Sequence, residues 1–141
     1  QAGIIAAAGL YALENNIDLH LLGFRNDINA FIQIADVFAF PSKQEGLPVS
    51  LMEAMTGKEL IICSNIRGNN DLISDNVNGQ LFELNDIEKV VYYLENIDIV
   101  LRKKREIYYK YNSKLIKTFS RENVYEIKKA IISNIIQIAN E

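Results

Sequence analysis

Asp36-Val-Phe-Ala-Phe-Pro-Ser-Lys-Gln-Glu45-Gly-Leu-Pro-Val-Ser-Leu-Met-Glu53-Ala-Met55 is the stretch that decides how this chain folds. It opens with four apolar residues, Val37 to Phe40, closed by Pro41 and Ser42, the pattern of a strand buried on both faces. It ends on Pro48 to Thr56, which reads as a helix with proline in its first turn and Gly57 just beyond its last. A buried strand, a loop and a helix in immediate succession form the repeating unit of an α/β protein.

Outward from this stretch the same alternation continues. Leu60 to Cys63 is a further strand, and Asn78-Gly79 introduces another at Gln80 to Phe82. Upstream, Leu19 to Phe24 is an apolar run closed around Gly23, expected to be a strand, and Asp27 is placed to cap a helix reaching Ile34. Ala2 to Glu14, rich in alanine and leucine and followed by Asn15-Asn16, is expected to be helical. Beyond Asp86 the pattern turns to three helices, Asp86–Asn96, Asp98–Phe119 and Ser120–Ala139, the last with Ser120 as N-cap. The expectation is an α/β fold: about four parallel strands, helices on both faces and a helical tail. Ligands of such sheets bind beyond the carboxyl ends of the strands. Four loops therefore matter: Gly23–Asp27, Pro41–Pro48, Ser64–Asp71 and Phe82–Asp86.

Composition narrows the function. The chain has 141 residues, 49% hydrophobic and 23% charged, which suits one ordinary domain with its own core. A single cysteine excludes a disulfide framework, and no cluster of Cys, His and carboxylates has the spacing of a metal site. A net charge of −3 gives no footprint for nucleic acid, and the basic run Arg102 to Arg105 is short and flanked by acids. That run, with Tyr92, Tyr93, Tyr108, Tyr109 and Tyr111, reads as a solvated helix face, or as a weak membrane-surface contact. The apolar stretches Gly3–Leu13 and Ile131–Ala139 fall short of the roughly 20 residues that a membrane span needs. Gln1 is no start methionine and no basic segment precedes an apolar one, so the chain reads as a piece of a longer cytoplasmic protein.

Chemistry concentrates in the loop between the deciding strand and helix. Glu45 lies before the helix and Glu53 on its second turn, about 7 Å along the axis, so both can face one cleft. Between them, the first amides of the helix lack intrahelical partners and sit at the positive end of its dipole, where phosphate or sugar oxygens are welcome. Gly46 lets a ligand approach the backbone. A carboxylate accepting hydrogen bonds from the vicinal hydroxyls of a ribose or hexose gains about 1.5 to 3 kcal/mol for each one shielded from water. The arrangement suits a nucleotide sugar. The other reactive side chains have plain readings: His20 stands alone at a strand start, and Cys63 ends a strand as a small buried hydrophobe. Lys43 can reach phosphate or simply water, and Asn69, Asn70 and Asp71 fit turn chemistry as well as ligand contact.

With Asp36-Val-Phe-Ala-Phe-Pro-Ser42, Glu45-Gly-Leu-Pro48, Met52-Glu-Ala-Met55 and Asn78-Gly79 in register, the chain resembles the carboxyl-terminal half of GT-B retaining glycosyltransferases of family four. The Glu45-x7-Glu53 spacing is that family's signature, and Arg67-Gly-Asn-x-Asp71-Leu-Ile73 is most similar to members that build capsular or exopolysaccharide. The resemblance implies one incomplete Rossmann-like domain over residues 1–141, the donor-binding domain. The amino-terminal acceptor domain and the first two strands are expected to lie upstream, with Gln1-Ala-Gly3 as the end of the second.

It implies a role for Glu45 at the donor sugar near the reacting centre and for Glu53 at the ribose hydroxyls. Gly46, Leu47, Pro48 and Val49 would form the stretch whose backbone amides touch the sugar, Ser50 and Leu51 would lie beside the diphosphate and ribose, and Gly23, Phe24 and Arg25 beside the base. The implied reaction transfers a hexose with retention from a nucleotide sugar, expected to be UDP- or GDP-linked, to a saccharide acceptor expected to be lipid-linked. No cofactor and no metal is implied. The family's Arg and Lys for the diphosphate map upstream of Gln1, so the isolated chain is expected to be inactive and less stable than an intact domain. Peripheral association with the inner face of a membrane is compatible with such an acceptor. Two other readings stand beside this one: a catalytically inactive nucleotide-binding or interaction module, and a sugar-nucleotide epimerase of similar build. A nicotinamide-dependent dehydrogenase is disfavoured by the absence of a GxGxxG turn.

Overall fold

A computed structural model of the protein describes residues 10–139. Residues 10–14 are helical (α1); residues 2–9 of the expected Ala2–Glu14 helix, and the strand end expected at Gln1-Ala-Gly3, lie outside the described residues. There follow α2 (Ile28–Ile34), β1 (Val37–Phe40), α3 (Val49–Ala54), β2 (Leu60–Ser64), β3 (Gln80–Phe82), α4 (Ile87–Glu95), α5 (Ile97–Thr118) and α6 (Arg121–Ala139). From Ile28 onward the expected elements are present, including the three trailing helices.

The strands form one parallel sheet in the order β1-β2-β3. Phe38 lies opposite Ile61 and Ala39 opposite Ile62, while Cys63 lies opposite Leu81. All five residues of β2 are buried, as befits a central strand covered on both faces. Its side chains divide by the two-residue period of a strand. Ile61 and Cys63 join Leu51, Met55, Ile73 and Leu81 under α3, whereas Leu60 and Ile62 join Phe82, Tyr93 and Tyr108 under α4 and α5.

One expectation fails. Leu19–Phe24 is not a strand, so three strands stand where about four were expected. Its composition suits a buried strand, but a strand exists only through ladder hydrogen bonds, and no described residue pairs with this segment. Leu21 remains 59% exposed and Phe24 94%, so the segment takes no place in the core.

The helix ends follow local chemistry. Asp86 caps α4, its carboxylate accepting from the Lys89 amide at 3.0 Å, and Ser120 accepts from the Asn123 amide at 3.2 Å ahead of α6. Asp27 occupies the N-cap of α2 without a side-chain cap bond, because its carboxylate is bound to Arg25. On the other side of the sheet α5 is fastened by polar bonds. The Asn78 amide donates to Asn112 Oδ1 at 2.8 Å, Asn112 Nδ2 donates to the Asn78 carbonyl at 3.1 Å, and Gln80 Nε2 donates to the Tyr108 hydroxyl at 3.0 Å. Two of the four residues in the basic run also serve this helix: Lys104 donates to Asn76 Oδ1, and Arg105 donates to the Lys58 carbonyl and lies near Asp36.

Candidate functional site

β1 and β2 run parallel, so the loops that follow them emerge side by side. They enclose a cleft of about 450 Å³, with residues 43–46 on one wall and Ile66, Arg67 and Asp71 on the other. Glu45 and Gly46, both expected at the site, are therefore in it together with Lys43. The volume lies within the roughly 300–1,000 Å³ usual for small-molecule sites.

The two walls are fixed to each other through the backbone. The Ser64 hydroxyl, at the end of β2, donates to the Ser42 carbonyl beyond the end of β1. Asn69, wholly buried, donates from Nδ2 to the Ser64 carbonyl at 3.0 Å and to its hydroxyl at 3.2 Å. Gly68 has φ +91°, and a Cβ on it would lie 2.9 Å from the Glu45 carbonyl oxygen and 3.0 Å from that of Gly46. Only glycine fits such an approach in that conformation. Successive tight turns, in which the Asn69 and Asn70 amides donate to the Ile66 carbonyl and the Ile73 amide to that of Asn69, then carry the chain back into the core. Ser64 and Gly68 are the residues that sequence reasoning passed over as site builders, and Asn69, read from sequence as a turn or ligand-contact residue, is buried and holds the loop instead. The signal was present in a serine ending each of two adjacent strands' apolar runs and in a glycine followed by Asn-Asn.

The other expected site residues are placed less uniformly. α3 is shorter than expected, beginning at Val49 with Pro48 as its N-cap. Its first intrahelical bond runs from the Met52 amide to the Pro48 carbonyl at 3.1 Å, which leaves the amides of Val49, Ser50 and Leu51 ahead of it. Leu47, Val49, Ser50 and Glu53 are exposed, so all four are accessible, while Pro48 is buried. The Leu51 side chain is fully enclosed in the core, so only its backbone can meet a ligand.

Gly23 and Arg25 line a separate, mainly apolar hollow of about 290 Å³ with Ile28, Phe31 and Phe38, sharing no residue with the Glu45 cleft. Arg25 stacks over the Phe31 ring at 4.9 Å and forms a two-point ion pair with Asp27, which holds the Asp27 carboxyl below its ordinary range. Phe24 points to solvent. A third hollow, beyond β3, carries Glu83, Asp86 and Glu88 with no cation, and so suits an anionic ligand poorly.

His20 pairs with Asp18 on the surface, and burial pushes the Cys63 thiol up to about 12. Among the described residues no group of three or more His, Cys, Asp or Glu side chains is arranged to hold a metal ion. None of the described helices is long and apolar enough to cross a membrane.

Comparison with known protein families matches residues 8–115 to Glycosyl transferases group 1. This chain belongs to that family. Among curated relatives, the group 1 glycosyltransferase chain is 43% identical over 79 residues to the Escherichia coli UDP-Gal:alpha-D-GlcNAc-diphosphoundecaprenol alpha-1,3-galactosyltransferase, a match covering 56% of this chain and 20% of that protein. It is 38% identical over 65 residues to the Campylobacter jejuni N,N'-diacetylbacillosaminyl-diphospho-undecaprenol alpha-1,3-N-acetylgalactosaminyltransferase, covering 46% and 17%. The matches thus span about a fifth of these relatives' lengths.

Among solved structures, the group 1 chain superposes on the C-terminal domain of LpcC from Francisella tularensis with TM-score 0.67 and 20% identity, over 82% of this chain and 62% of that one. On TarM the TM-score is 0.60 with 23% identity, over 96% and 26%. Those likenesses establish the fold of a GT-B C-terminal domain. Open α/β sheets bind ligands beyond the carboxyl ends of their strands, and the loops after β1 and β2 lie at that end of this sheet.

Proposed function

We propose that this chain is the donor-binding part of a glycosyltransferase that moves a hexose, with retention, from a UDP- or GDP-sugar to a lipid-linked saccharide during surface polysaccharide synthesis. The observation that carries the reading is the seating of Glu45 and Gly46 in the polar cleft between the β1 and β2 loops, inside a group 1 glycosyltransferase domain. The relatives named for transfer to diphosphoundecaprenol-linked sugars support the acceptor class.

In this reading Glu45 accepts hydrogen bonds from donor-sugar hydroxyls near the anomeric carbon, and the exposed Glu53 takes the ribose hydroxyls. The amide N–H groups of Gly46, Leu47, Val49 and Ser50 lie along the sugar and diphosphate, Pro48 between them having none to offer, with Leu51 contributing its backbone alone. Gly23, Phe24 and Arg25 lie beside the base, where the hollow under Phe31 offers an apolar surface. As the bond from the anomeric carbon to the diphosphate oxygen breaks, positive charge grows on the sugar and negative charge on the leaving group. Helix-end amides already in place help stabilise that separation without reorganising. The acceptor hydroxyl, on the other half of such an enzyme, then forms the new bond to the anomeric carbon and gives its proton to the departing diphosphate oxygen.

The test is a proton–nitrogen NMR titration of the chain with UDP, GDP and their hexose conjugates. Shifts are expected at residues 45–53, with those at 24–26 reporting the base. Glu53→Ala is expected to weaken free nucleotide roughly tenfold, and Glu45→Ala to weaken the nucleotide sugar more than the nucleotide. Unchanged affinities in both variants would remove the site from this loop. Binding without any transfer once the full-length protein is supplied with lipid-linked acceptor would favour the inactive-module reading.

A further inference from the structure

We propose that Arg67 and Asp71 recognise the hexose ring of the donor from the wall opposite Glu45, and so set which ring substituents the cleft accepts. The inference rests on the donor-site reading above and names what selects the sugar within it.

Both side chains line the Glu45 cleft, and both belong to the turns that Gly68, Asn69 and Ser64 lock against the Glu45 loop. Their distance from Glu45 is therefore set by backbone packing. Neither side chain has structural work elsewhere: among the described residues, Arg67 and Asp71 make no side-chain hydrogen bond and no ion pair. That differs from Arg25, Lys58, Lys89 and Arg105, each of which is held by a carboxylate.

The charge of the cleft argues for the sugar rather than the phosphate. Lys43 and Arg67 are balanced by Glu45 and Asp71, so the cavity is neutral while offering strong donors and strong acceptors on both walls. Two carboxylates in the lining oppose a dianionic phosphate. A neutral ring carrying hydroxyls, each both donor and acceptor, can satisfy all four groups at once. Ile66 adds an apolar surface of the kind on which the C–H face of a pyranose rests. Removing one member of such a polar pair leaves its ligand partner unpaired, which is how a site separates sugars differing at one hydroxyl.

Calorimetric titration of the chain tests this with UDP, GDP and UDP-hexoses that differ in one ring hydroxyl or carry an N-acetyl group. Arg67→Met and Asp71→Asn are expected to weaken the preferred nucleotide hexose roughly tenfold each, to leave free nucleotide unchanged, and to narrow the spread of affinities among the hexoses. A variant at exposed Glu88 is expected to change nothing. Equal weakening of nucleotide and nucleotide hexose would assign the pair to phosphate and overturn the proposal, as would no effect on either. Failure of the unaltered chain to bind any of these ligands would overturn the donor-site reading and this proposal together, an outcome distinct from both.

Discussion

Gly68 lies so close to Glu45 that a Cβ on it would stand only 2.9 Å from the Glu45 carbonyl oxygen. The contact is backbone to backbone at both ends, so no rotamer change can relieve it, and φ +91° disfavours every other residue independently. Gly68→Ala is expected to cost about 1–3 kcal/mol of stability and to displace the loop bearing Glu45. Urea unfolding reads the first effect. The second would appear as weaker nucleotide-sugar binding under conditions where the variant is still folded.

Glu59 is 6% exposed, and neither of its carboxylate oxygens has a hydrogen-bond partner. Burial raises its pKa, partly offset by the backbone and by the Arg105 guanidinium. Because the folded value lies above the unfolded one, the folded state holds this proton more tightly. Stability from this group is complete below the ordinary carboxylate range and is lost as pH rises through the folded value. Glu59→Gln is accordingly expected to stabilise the protein at neutral pH by about 1 kcal/mol. Denaturant titrations at neutral pH and at about pH 4 should show the gain shrinking on acidification; a gain that is constant with pH would contradict it.

Asn112 reaches across from α5 to make two of the bonds that hold Asn78, and both residues are buried. Alanine at 112 would strand the Asn78 carbonyl and one amide proton away from water. A loss of about 1–3 kcal/mol follows, measurable as a lowered Tm. Asn112→Asp should also destabilise, because it replaces the Nδ2 donor to the Asn78 carbonyl with an acceptor.

Cys63 has no exposed surface, and its thiol is pushed up to about 12 by burial. The thiolate is the reactive form. Thiol reagents are expected to label the folded chain only at its rate of opening, and to label it rapidly in denaturant. Fast native labelling would show that β2 is not the enclosed strand described above.

Most of the fold was legible because β1, β2, β3 and the helices after Asp86 carry local signals that agree with their surroundings. Val37–Phe40 is apolar and ends at a proline, and β1 indeed stops at Phe40. Leu19–Phe24 carried a similar signal and formed no strand, since pairing is a property of two segments and composition reports only one. That Glu45 and Gly46 line a cleft was legible from residue type, but the Glu45-x7-Glu53 spacing does not bring both carboxylates into it: Glu53 is exposed on α3 and is not among the residues that line the cleft. The wall opposite was legible only as a loop at the right end of the sheet, because Asp71 fits turn chemistry as well as ligand contact and nothing singles out Arg67 until Gly68 and Asn69 are seen packed against the Glu45 loop. Nor could sequence show that Arg25 is occupied by Asp27 and Phe31, a matter of side-chain geometry alone.

β2, hydrogen-bonded on both edges and buried along its whole length, also sets the order in which the molecule opens. Its amides should exchange with solvent only through global unfolding, while those of Leu19–Phe24, which pair with no described residue, should exchange far faster. Both walls of the cleft spring from the ends of β2 and its neighbour, so they rest on the slowest-exchanging part of the protein. A ligand that orders the loops can therefore add protection there without drawing on the sheet beneath.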